Sequence, residues 1–341
     1  MKTVRLKDVA QACGVSVATV SRALNGQADE TKPLTEMICR KAGEMGYVQN
    51  AAAFTLKTNR SSNIGILYED QMHHEFFSAL LNDLRRQATA RGYDLTLIGE
   101  TDRETGNYYE HTRRRNLDGV IVIQADFDSA GVIRLASSSM PSVVIDHMYD
   151  GCDCVGSDNR AGMVRLVRYA WERGHRRLAY ITGERGAVSG ERIGGFYKGC
   201  AELGICVPEN CVREGHFHDP EDCLRQIHAL MREKEPPTCI ICPDDYSCLG
   251  AMLKLKEEGI RVPEDVSLIG YDGIRMGQMI SPRLTTYRQD TEELGRKAVD
   301  LLVEAIEDPD SHVPRHIIVE GGLIGGETTA ELSRRKAEEE Q

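Results

Sequence analysis

The sequence predicts an α/β protein in which a small head of three helices precedes a core of two doubly wound α/β lobes. The first 45 residues repeat apolar side chains at helical spacing. After residue 62, short apolar runs alternate with amphipathic stretches, and this alternation occurs twice. Continuous apolar strands separated by helices indicate a parallel sheet covered on both faces. The two rounds of alternation therefore predict two lobes.

The first predicted helix ends in a tight turn that leads directly into a second helix. Its apolar stripe has members at i, i+3, i+4 and i+7, namely Leu6, Val9, Ala10 and Cys13. Gly14 can adopt the left-handed conformation that ends a helix. The hydroxyl of Ser16 can then accept a backbone N–H at the start of the next helix. The second helix is predicted to begin at Val17 and to end before Gly26.

The second helix has an inward face and an outward face. The inward side chains are Val20, Ala23 and Leu24, and the outward ones are Val17, Ala18, Ser21 and Arg22. A third apolar stripe follows at Leu34, Ile38, Ala42 and Met45. Three helices can thus share one core, which leaves the outward face of the second helix free to enter a major groove. This is the pattern of a helix-turn-helix that reads DNA.

Small three-helix units also occur without any nucleic-acid partner. The distribution of charge helps to decide between such a unit and a DNA-binding one. Residues 1 to 62 contain nine Lys and Arg and five Asp and Glu, a net charge of +4. The whole chain has a net charge of −11, so the remainder carries −15. A basic head on an acidic body favours phosphate contact at one end of the chain, because only the head gains from the release of counterions.

Length and composition suit a protein of two or three domains, with 341 residues of which 41% are hydrophobic. No apolar run approaches transmembrane length, and the basic N-terminus leads into a polar amphipathic helix rather than a signal sequence. We therefore expect a cytoplasmic protein with no membrane partner. Eleven cysteines are scattered along the chain. Cys239 and Cys242 form a CxxC inside an apolar run, which indicates buried, reduced thiols. No metal and no cofactor are expected.

Each lobe is predicted from four strands and the helices between them. The strands of the first lobe are Ile64–Tyr68, Leu95–Gly99, Gly119–Ile123 and Ser142–Ile145, with its clearest helix at Phe76–Arg91. The strands of the second lobe are Leu178–Thr182, Val212–Gly215, Thr238–Cys242 and Val266–Tyr271. Its helices are predicted near 160–173, 191–203, 220–233 and 246–258. Open sheets of this kind bind ligands at the carboxyl ends of their strands, so a shared cleft is expected there.

Several enzyme motifs are missing from the loops that would line this cleft. There is no GxSxG, no GxxxxGK[ST] and no HExxH, although His74-Glu75 begins the last of these. An enzyme is therefore not expected. The loops instead offer Asp146, Arg192, the Asp244-Asp245 pair and Asp272. Carboxylates and a guanidinium suit a polyhydroxylated ligand, since each binds hydroxyl groups directionally. The alternative is that each residue caps a helix or pairs locally.

The head resembles that of a known family. The run DVAxxxGVSxxTVSRxLN at positions 8 to 25, followed by Gly46-Tyr47 and Asn50, strongly resembles the DNA-binding head of the LacI/GalR family of bacterial transcriptional regulators. The core matches the same family at Val155–Asn159, Gly174–Leu178, Arg192 with Gly195-Phe196, Pro263–Ser267, Gly270–Asp272 and Pro282–Thr286. The resemblance runs from about residue 3 to about residue 330. It implies a core of the periplasmic-binding-protein-like type I fold.

The resemblance implies a role for each matching residue of the head. Val17, Ala18 and Arg22 would meet base edges, and Arg22 would be the best candidate for a bidentate contact to guanine. The residues that would contact phosphates are Ser16, Thr19, Ser21, Asn25 and Tyr47. Asn50 to Asn59 match the hinge, a segment that becomes helical on operator DNA. Within it Leu56 matches a leucine that wedges into the minor groove, and Ala53 matches a small residue at the dimer axis.

The resemblance also implies a set of effector contacts in the cleft. These are Phe76, Asp146, Arg192, Phe217, Asp244 and Asp272, with Phe217 stacking on a sugar ring. Some positions depart from the family pattern. Arg5 removes the usual hydroxyl cap of the first helix, Gln49 and Phe54 alter the hinge, and Asp244 stands where asparagine is usual.

Together these observations predict a repressor that binds a palindromic operator as a homodimer and responds to a small effector, a sugar or sugar derivative. The expected domains are a head at 1–48, a hinge at 49–62, a core at 63–330 and a charged tail at 331–341. The first lobe would comprise about 63–158 and 290–317, and the second about 159–289 and 318–330. The alternatives are a sugar- or nucleoside-responsive activator or corepressor-dependent regulator, an exported sugar receptor, and an enzyme acting on a sugar or nucleotide.

Overall fold

The computed structural model describes residues 4–24, 32–48, 55, 60–69, 74–99 and 107–332. The chain divides into two compact units, Met1–Ser61 and Ser62–Gln341. We call the first unit the head and the second the core. No helix within the described ranges is both long enough and apolar enough to cross a membrane.

The described part of the head consists of three helices, α1 (Leu6–Cys13), α2 (Val17–Leu24) and α3 (Lys32–Glu44). Gly14 follows α1 with a φ of 68°, the left-handed conformation predicted for it. Arg5 precedes α1 without a side-chain cap, and the carboxylate of Asp8 instead accepts the backbone N–H of Arg5 at 2.8 Å. The first helix therefore retains one half of a capping box despite the loss of the hydroxyl.

The core of the head is formed by the predicted apolar stripes. Its fully buried members are Val9, Ala10, Val20, Ala23, Ile38 and Ala42. Leu24, Leu34 and Met45 are partly buried against them. All three helices thus contribute to one small core, as the spacing of the apolar residues predicts.

The core unit contains two six-stranded sheets, which define its two lobes. The first sheet has the order β11-β5-β4-β3-β1-β2, and its paired strands are all parallel. Its strands are β1 (Asn63–Leu67), β2 (Asp94–Ile98), β3 (Gly119–Val122), β4 (Ser142–Ile145), β5 (Asp153–Ser157) and β11 (His316–Val319). The helices that flank it are α4 (Glu75–Ala90), α5 (Tyr108–Arg114), α6 (Ala130–Ala136) and α11 (Thr291–Glu307).

The second sheet has the order β12-β10-β9-β8-β6-β7 and is parallel except for its edge strand β12. Its strands are β6 (Leu178–Ile181), β7 (Val212–Arg213), β8 (Cys239–Ile241), β9 (Ser267–Asp272), β10 (Thr285–Arg288) and β12 (Gly322–Ile324). The helices of this lobe are α7 (Asn159–Glu172), α8 (Ala187–Glu202), α9 (Pro220–Met231) and α10 (Asp245–Glu257). Two short 3₁₀ helices are at Glu209–Cys211 and Arg275–Gln278.

All eight predicted core strands are present, and four further strands are not among the predictions. These are β5, β10, β11 and β12, which lie where the chain passes from one lobe to the other. β5 reads DCVGS and β10 reads TTYR, so neither shows the apolar run that identified the others. β11 and β12 are short strands at the edges of their sheets, with half-exposed residues.

The two cysteines of the CxxC are fully buried and form no disulfide. Cys239 belongs to β8, and Cys242 follows that strand directly. This is the environment predicted for them, because strands of a doubly wound sheet are covered on both faces.

Candidate DNA-reading surface and ligand cleft

The outward face of α2 is exposed as predicted. Val17, Ala18 and Arg22 are exposed, with 46% of the Val17 surface accessible, while Val20 and Ala23 on the opposite face are buried. A short helix that presents two small apolar side chains and a guanidinium on one face has the chemistry to contact base edges in a major groove.

The two hydroxyls at the start of α2 are bonded to each other and to the helix. The Oγ of Ser16 accepts the backbone N–H of Thr19 at 3.0 Å and lies 2.9 Å from the Oγ1 of Thr19. Ser16 therefore caps α2, as predicted. The first turn of any helix also leaves backbone N–H groups without an intrahelical acceptor, and such groups can stabilise a phosphate oxygen.

The other predicted phosphate contacts lie in different surroundings. Ser21 is half-buried, and Tyr47 is partly buried against the core of the head, with its backbone N–H donating to the carbonyl of Ala42 at 2.9 Å. Asn25, Asn50, Ala53 and Leu56 lie outside the described residues, as do Gln49 and Phe54.

A cavity of about 570 Å³ lies between the two lobes of the core unit. Its wall includes five of the six predicted effector contacts, which are Phe76, Asp146, Arg192, Phe217 and Asp272. Sequence positions separated by nearly two hundred residues thus come together at one cleft. Two of these side chains, Phe76 and Asp146, come from the first lobe, and the other three come from the second.

Arg192 is the buried cation of this cleft and is fixed on several sides. Only 3% of it is exposed, its Nε donates to the Oδ1 of Asn159 at 2.9 Å, and its Nη1 donates to the carbonyl of Pro243 at 3.0 Å. Its guanidinium carbon lies 3.7 Å from the centre of the Tyr271 ring, and its Nη2 lies 3.8 Å from the Oδ1 of Asp272. Stacking and hydrogen bonds together hold the guanidinium in one orientation before a ligand arrives.

The two cleft carboxylates, Asp146 and Asp272, each lie at the carboxyl end of a strand and have a positive φ. Asp146 follows β4 with a φ of 64°, and Asp272 ends β9 with a φ of 116°. Burial raises the pKa of Asp272 to about 7, and the nearby Arg192 opposes this shift. Burial also raises the pKa of Asp146, against a hydrogen bond from the backbone N–H of Ser157. Burial thus outweighs the hydrogen bond that each carboxylate accepts, and a further donor in the cleft would favour the charged form.

Two aromatic rings contribute the apolar part of the wall. Phe76 is 93% buried near the start of α4, and Phe217 lies after β7 with its ring against Gly183. A Cβ atom built on Gly183 would be 2.1 Å from the Phe217 ring, so only glycine leaves room for this ring position. Aromatic faces of this kind bind the apolar faces of sugar rings or flat heterocycles.

Asp244 does not line the cavity. It is 99% buried and caps α10, with its Oδ1 accepting the backbone N–H of Ser247 at 2.7 Å. Its Oδ2 accepts the Ser247 hydroxyl at 2.8 Å and the backbone N–H of His218 at 2.9 Å. Three donors already satisfy this carboxylate, so the local-cap alternative describes it better than a direct ligand contact. Its neighbour Asp245 is likewise satisfied, by the backbone N–H of Ile274 and the hydroxyl of Thr286.

Three further polar side chains of the wall are absent from the predicted set. The Oγ of Ser189 and the Oε1 atoms of Gln124 and Gln289 are buried and have no hydrogen-bond partner among the described residues. The Nε2 of Gln289 donates to the Oδ1 of Asp272 at 2.7 Å, which orients its free oxygen. Buried acceptors without partners are costly, so these atoms indicate where a ligand donates. Only Gln124 had a signal that sequence reasoning could have used, because it directly follows the predicted strand Gly119–Ile123.

The carboxylates of Asp244 and Asp272 and the ring of His218 offer three potential metal ligands within 4.8 Å of one another. The hydrogen bonds already made by Asp244 occupy both of its oxygens. A cation here would have to replace those bonds, and the helix cap with them. We therefore assign no metal to this cluster.

The two lobes also touch at one end of the cleft. The imidazole rings of His74 and His218 stack at 3.7 Å with an angle of 13° between them. Next to them, Glu75 of α4 accepts backbone N–H groups from Arg275 and Met276 of the opposite lobe at 2.8 and 3.0 Å. These contacts join the first lobe to the second on the side of the cavity that Phe76 lines.

Comparison with known proteins finds similarity along most of the chain. The profile of bacterial regulatory proteins of the lacI family matches residues 5–50, and that of the periplasmic binding protein-like domain matches residues 167–329. The HTH-type transcriptional repressor PurR of Vibrio atlanticus (strain LGP32) is 31% identical over 316 residues, which cover 89% of this chain and 92% of that protein.

Solved structures show a similar fold. The lac repressor dimer bound to operator and the anti-inducer ONPF superposes with a TM-score of 0.79 at 24% identity, covering 96% of this chain and 100% of that one. A LacI family transcriptional regulator from Enterococcus faecium with bound ribose superposes with a TM-score of 0.70 at 25% identity, covering 79% of this chain and 99% of that one.

Proposed function

The chain belongs to the LacI family of bacterial regulatory proteins, and from this premise we propose how it works as a DNA-binding transcriptional repressor. Two copies would bind the two halves of a palindromic operator, and a small effector in the cleft of the core would change their affinity for it. The observation that carries the proposal is the exposed face of α2, where Val17, Ala18 and Arg22 lie over a buried helical core.

The exposed face of α2 would read the DNA sequence. Arg22 would donate two hydrogen bonds to a guanine, and Val17 and Ala18 would make apolar contacts such as those with a thymine methyl group. The residues that would contact phosphates and so fix the register are Ser16, Thr19, Ser21, Asn25 and Tyr47. For the segment between head and core we propose the hinge role that its sequence predicts, with Asn50, Ala53 and Leu56 at the minor groove.

A homodimer suits the recognition of a palindromic operator by one short helix per protomer. A single short recognition helix covers few base pairs, and two of them joined by a two-fold axis read half-sites about one helical turn apart. The lac repressor, whose fold this chain shares, has been solved as a dimer on its operator. We place the protein in the cytoplasm, where the operator is.

We propose that the effector is a sugar or sugar derivative held between the lobes. Asp146, Arg192 and Asp272 would bind its hydroxyl groups, and Phe76 and Phe217 would cover its ring. The related regulator from Enterococcus faecium holds ribose. A nucleobase or nucleoside is the alternative effector, since two aromatic rings also suit a flat heterocycle.

The effector would act by changing how the two lobes meet. A ligand bound by residues of both lobes stabilises one lobe arrangement over another, and the differential affinity sets the size of the effect. A coupling of about 1 to 3 kcal/mol, typical of such proteins, would change operator affinity roughly 5- to 150-fold.

Two experiments test the proposal separately. Selection of duplexes from a random library by the purified protein should yield a palindromic consensus, and failure to enrich any sequence would refute operator binding. A thermal-shift screen of sugars, nucleosides and nucleobases should raise the melting temperature with at least one sugar. A response to nucleobases alone would replace the sugar with the alternative.

A further inference from the structure

Three consecutive arginines form an exposed basic cluster on the first lobe. Arg113 and Arg114 end α5 and Arg115 follows it, and all three are exposed. None of them makes an ion pair or hydrogen bond with another side chain in the part of the chain that the structure describes. Nearby Glu110 is paired with Arg134 instead. Among the described residues, therefore, no ion pair neutralises the cluster.

The cluster lies near the amino ends of the neighbouring strands β1 and β3, where the chain that leads from the head enters the core. The carboxylate of Asp118, three residues after Arg115, accepts the backbone N–H of Ser62 at 2.8 Å. The backbone N–H of Asp118 donates to the carbonyl of Asn63 at 2.9 Å. Ser62 is the first residue of the core unit. Three residues span at most about 10 Å, so the backbone of Arg115 lies near the point at which the chain that leads from the head enters the core.

The surroundings of the cluster make its charge unusual. The chain after residue 62 has a net charge of −15, so three adjacent cations are unusual in this part of the sequence. Basic side chains do stabilise the last turn of a helix through its dipole, which gives Arg113 and Arg114 a structural role. Arg115 is the C-cap residue that follows the last helical residue, and the dipole does not require a third charge. A partner with closely spaced negative charges accounts for all three.

We propose that Arg113, Arg114 and Arg115 contact the phosphate backbone of the duplex to which the head is bound. This inference rests on the proposed DNA-binding function and adds a second contact surface, on the core, to that of the head. Guanidinium groups bind phosphates with paired hydrogen bonds, and each neutralised phosphate releases counterions from the duplex. These contacts would raise affinity for all sequences alike and carry no base specificity.

The second lobe provides a matched control. Arg232 follows α9 and Lys234 lies two residues later, and both are exposed in the connection to β8. This is the connection in the second lobe that corresponds to the one between α5 and β3 in the first. Neither cation makes a described side-chain bond. The two variants Arg114→Glu with Arg115→Glu, and Arg232→Glu with Lys234→Glu, therefore change the net charge equally at the ends of comparable helices.

Equilibrium binding of full-length protein to a fluorescent 40-base-pair duplex, carrying a sequence selected by the wild type, tests the proposal. The R114E/R115E variant should bind at least 10-fold more weakly in 50 mM KCl. The slope of log affinity against log salt should fall by about 2 for each protomer, since each phosphate contact contributes about 0.9 to it. The R232E/K234E variant should match the wild type.

Two further comparisons distinguish phosphate contact from a fold defect and from a general effect of net charge. R114K/R115K should recover most of the salt slope, because it keeps the charge, and its recovery excludes a fold defect as the cause of the loss. Equal loss in R114E/R115E and R232E/K234E would overturn the proposal by showing only a general effect of net charge. A wild type that binds no duplex would instead refute the DNA-binding function itself.

Discussion

Glu75 at the start of α4 accepts a hydrogen bond from the backbone N–H of Arg275 on the opposite lobe, with 2.8 Å between the two atoms. Its second oxygen accepts the N–H of Met276. One carboxylate of the first lobe thus satisfies two backbone donors at the start of a short helix of the second. Because this contact exists only when the lobes are close together, it reports on their arrangement.

Replacement of Glu75 by alanine should loosen this end of the cleft. The N–H groups of Arg275 and Met276 lose their acceptor, so their hydrogen exchange should accelerate by roughly 10-fold or more, as expected for loss of charge-assisted bonds of about 1.5 to 3 kcal/mol each. Mass spectrometry of the peptide that contains these two residues measures the change. Glu292→Ala, which removes another exposed carboxylate of the first lobe, should leave this peptide unchanged. Unaltered exchange in Glu75→Ala would show that the contact does not hold the lobes.

The pH dependence of stability should reveal the raised pKa of Asp272. Its pKa is about 7 in the folded protein, mainly through burial, against an ordinary value of 3.8. Between these values the folded state binds a proton that the unfolded state releases. The stabilising contribution of this proton is therefore complete below about pH 4 and is lost as the pH rises through 7.

Asp272→Asn removes this titration and keeps the acceptor for Gln289. The free energy of unfolding of the variant, relative to wild type, should rise between pH 4 and 7 by up to about 1.4 kcal/mol for each pH unit. Urea unfolding at pH 5 and pH 8 measures both proteins. Parallel pH profiles for the two would contradict the raised pKa.

The hydroxyl of Ser16 is expected to serve both the fold of the head and its contact with DNA, and two substitutions separate these roles. Ser16→Ala should lower the stability of the head by about 1 kcal/mol, because α2 loses its cap. Ser16→Asp should keep the cap and the stability, since aspartate is an equally good capping residue. Both variants should bind DNA more weakly than the wild type. Ser16→Asp should have the lower affinity of the two, because its carboxylate repels phosphate. Chemical unfolding and anisotropy measure the two effects, and full DNA affinity in Ser16→Asp would exclude a phosphate near this position.

Gly183 is expected to set the position of Phe217 in the cleft. Gly183→Ala places a methyl group 2.1 Å from the present ring position, so the ring must move and the wall of the cavity must change shape. Affinity for the best ligand of the thermal-shift screen should fall by about 10-fold, as calorimetry would measure, for loss of roughly 1.4 kcal/mol of ring contact. Gly190→Ala in the neighbouring helix meets no atom within 4 Å and serves as the control. Equal ligand affinity in the Gly183→Ala and Gly190→Ala variants would show that Phe217 does not contact the ligand.

The head could be predicted closely because its signals are local. Gly14 ends α1 and Ser16 caps α2, and each of these roles depends on residues no more than four positions away. The apolar strands of the core were also predictable. β5 and β10 were not, because their polar residues are buried only by elements distant in sequence, such as the buried Thr285 and Thr286 of β10.

The cleft was predictable in part. Asp146, Arg192 and Asp272 line it as expected, since polar residues after parallel strands share one edge of a sheet. Asp244 follows a strand in the same way but turns back to cap α10. Sequence could not separate these two outcomes, because an aspartate at the start of a helix is equally suited to both. Gln289 was not identified, since it reaches the wall from the segment that returns the chain to the first lobe.

The most direct test of the account measures how Arg22→Ala changes discrimination between DNA sequences. Affinities of wild type and variant would be compared by anisotropy on the selected palindrome and on a scrambled duplex of equal length, in the same salt. We predict that wild type prefers the palindrome by at least 10³-fold and that the variant loses about 1 to 3 kcal/mol of this preference per half-site, while its affinity for the scrambled duplex changes little. An unchanged preference in Arg22→Ala would contradict the central claim that the outward face of α2 reads the operator.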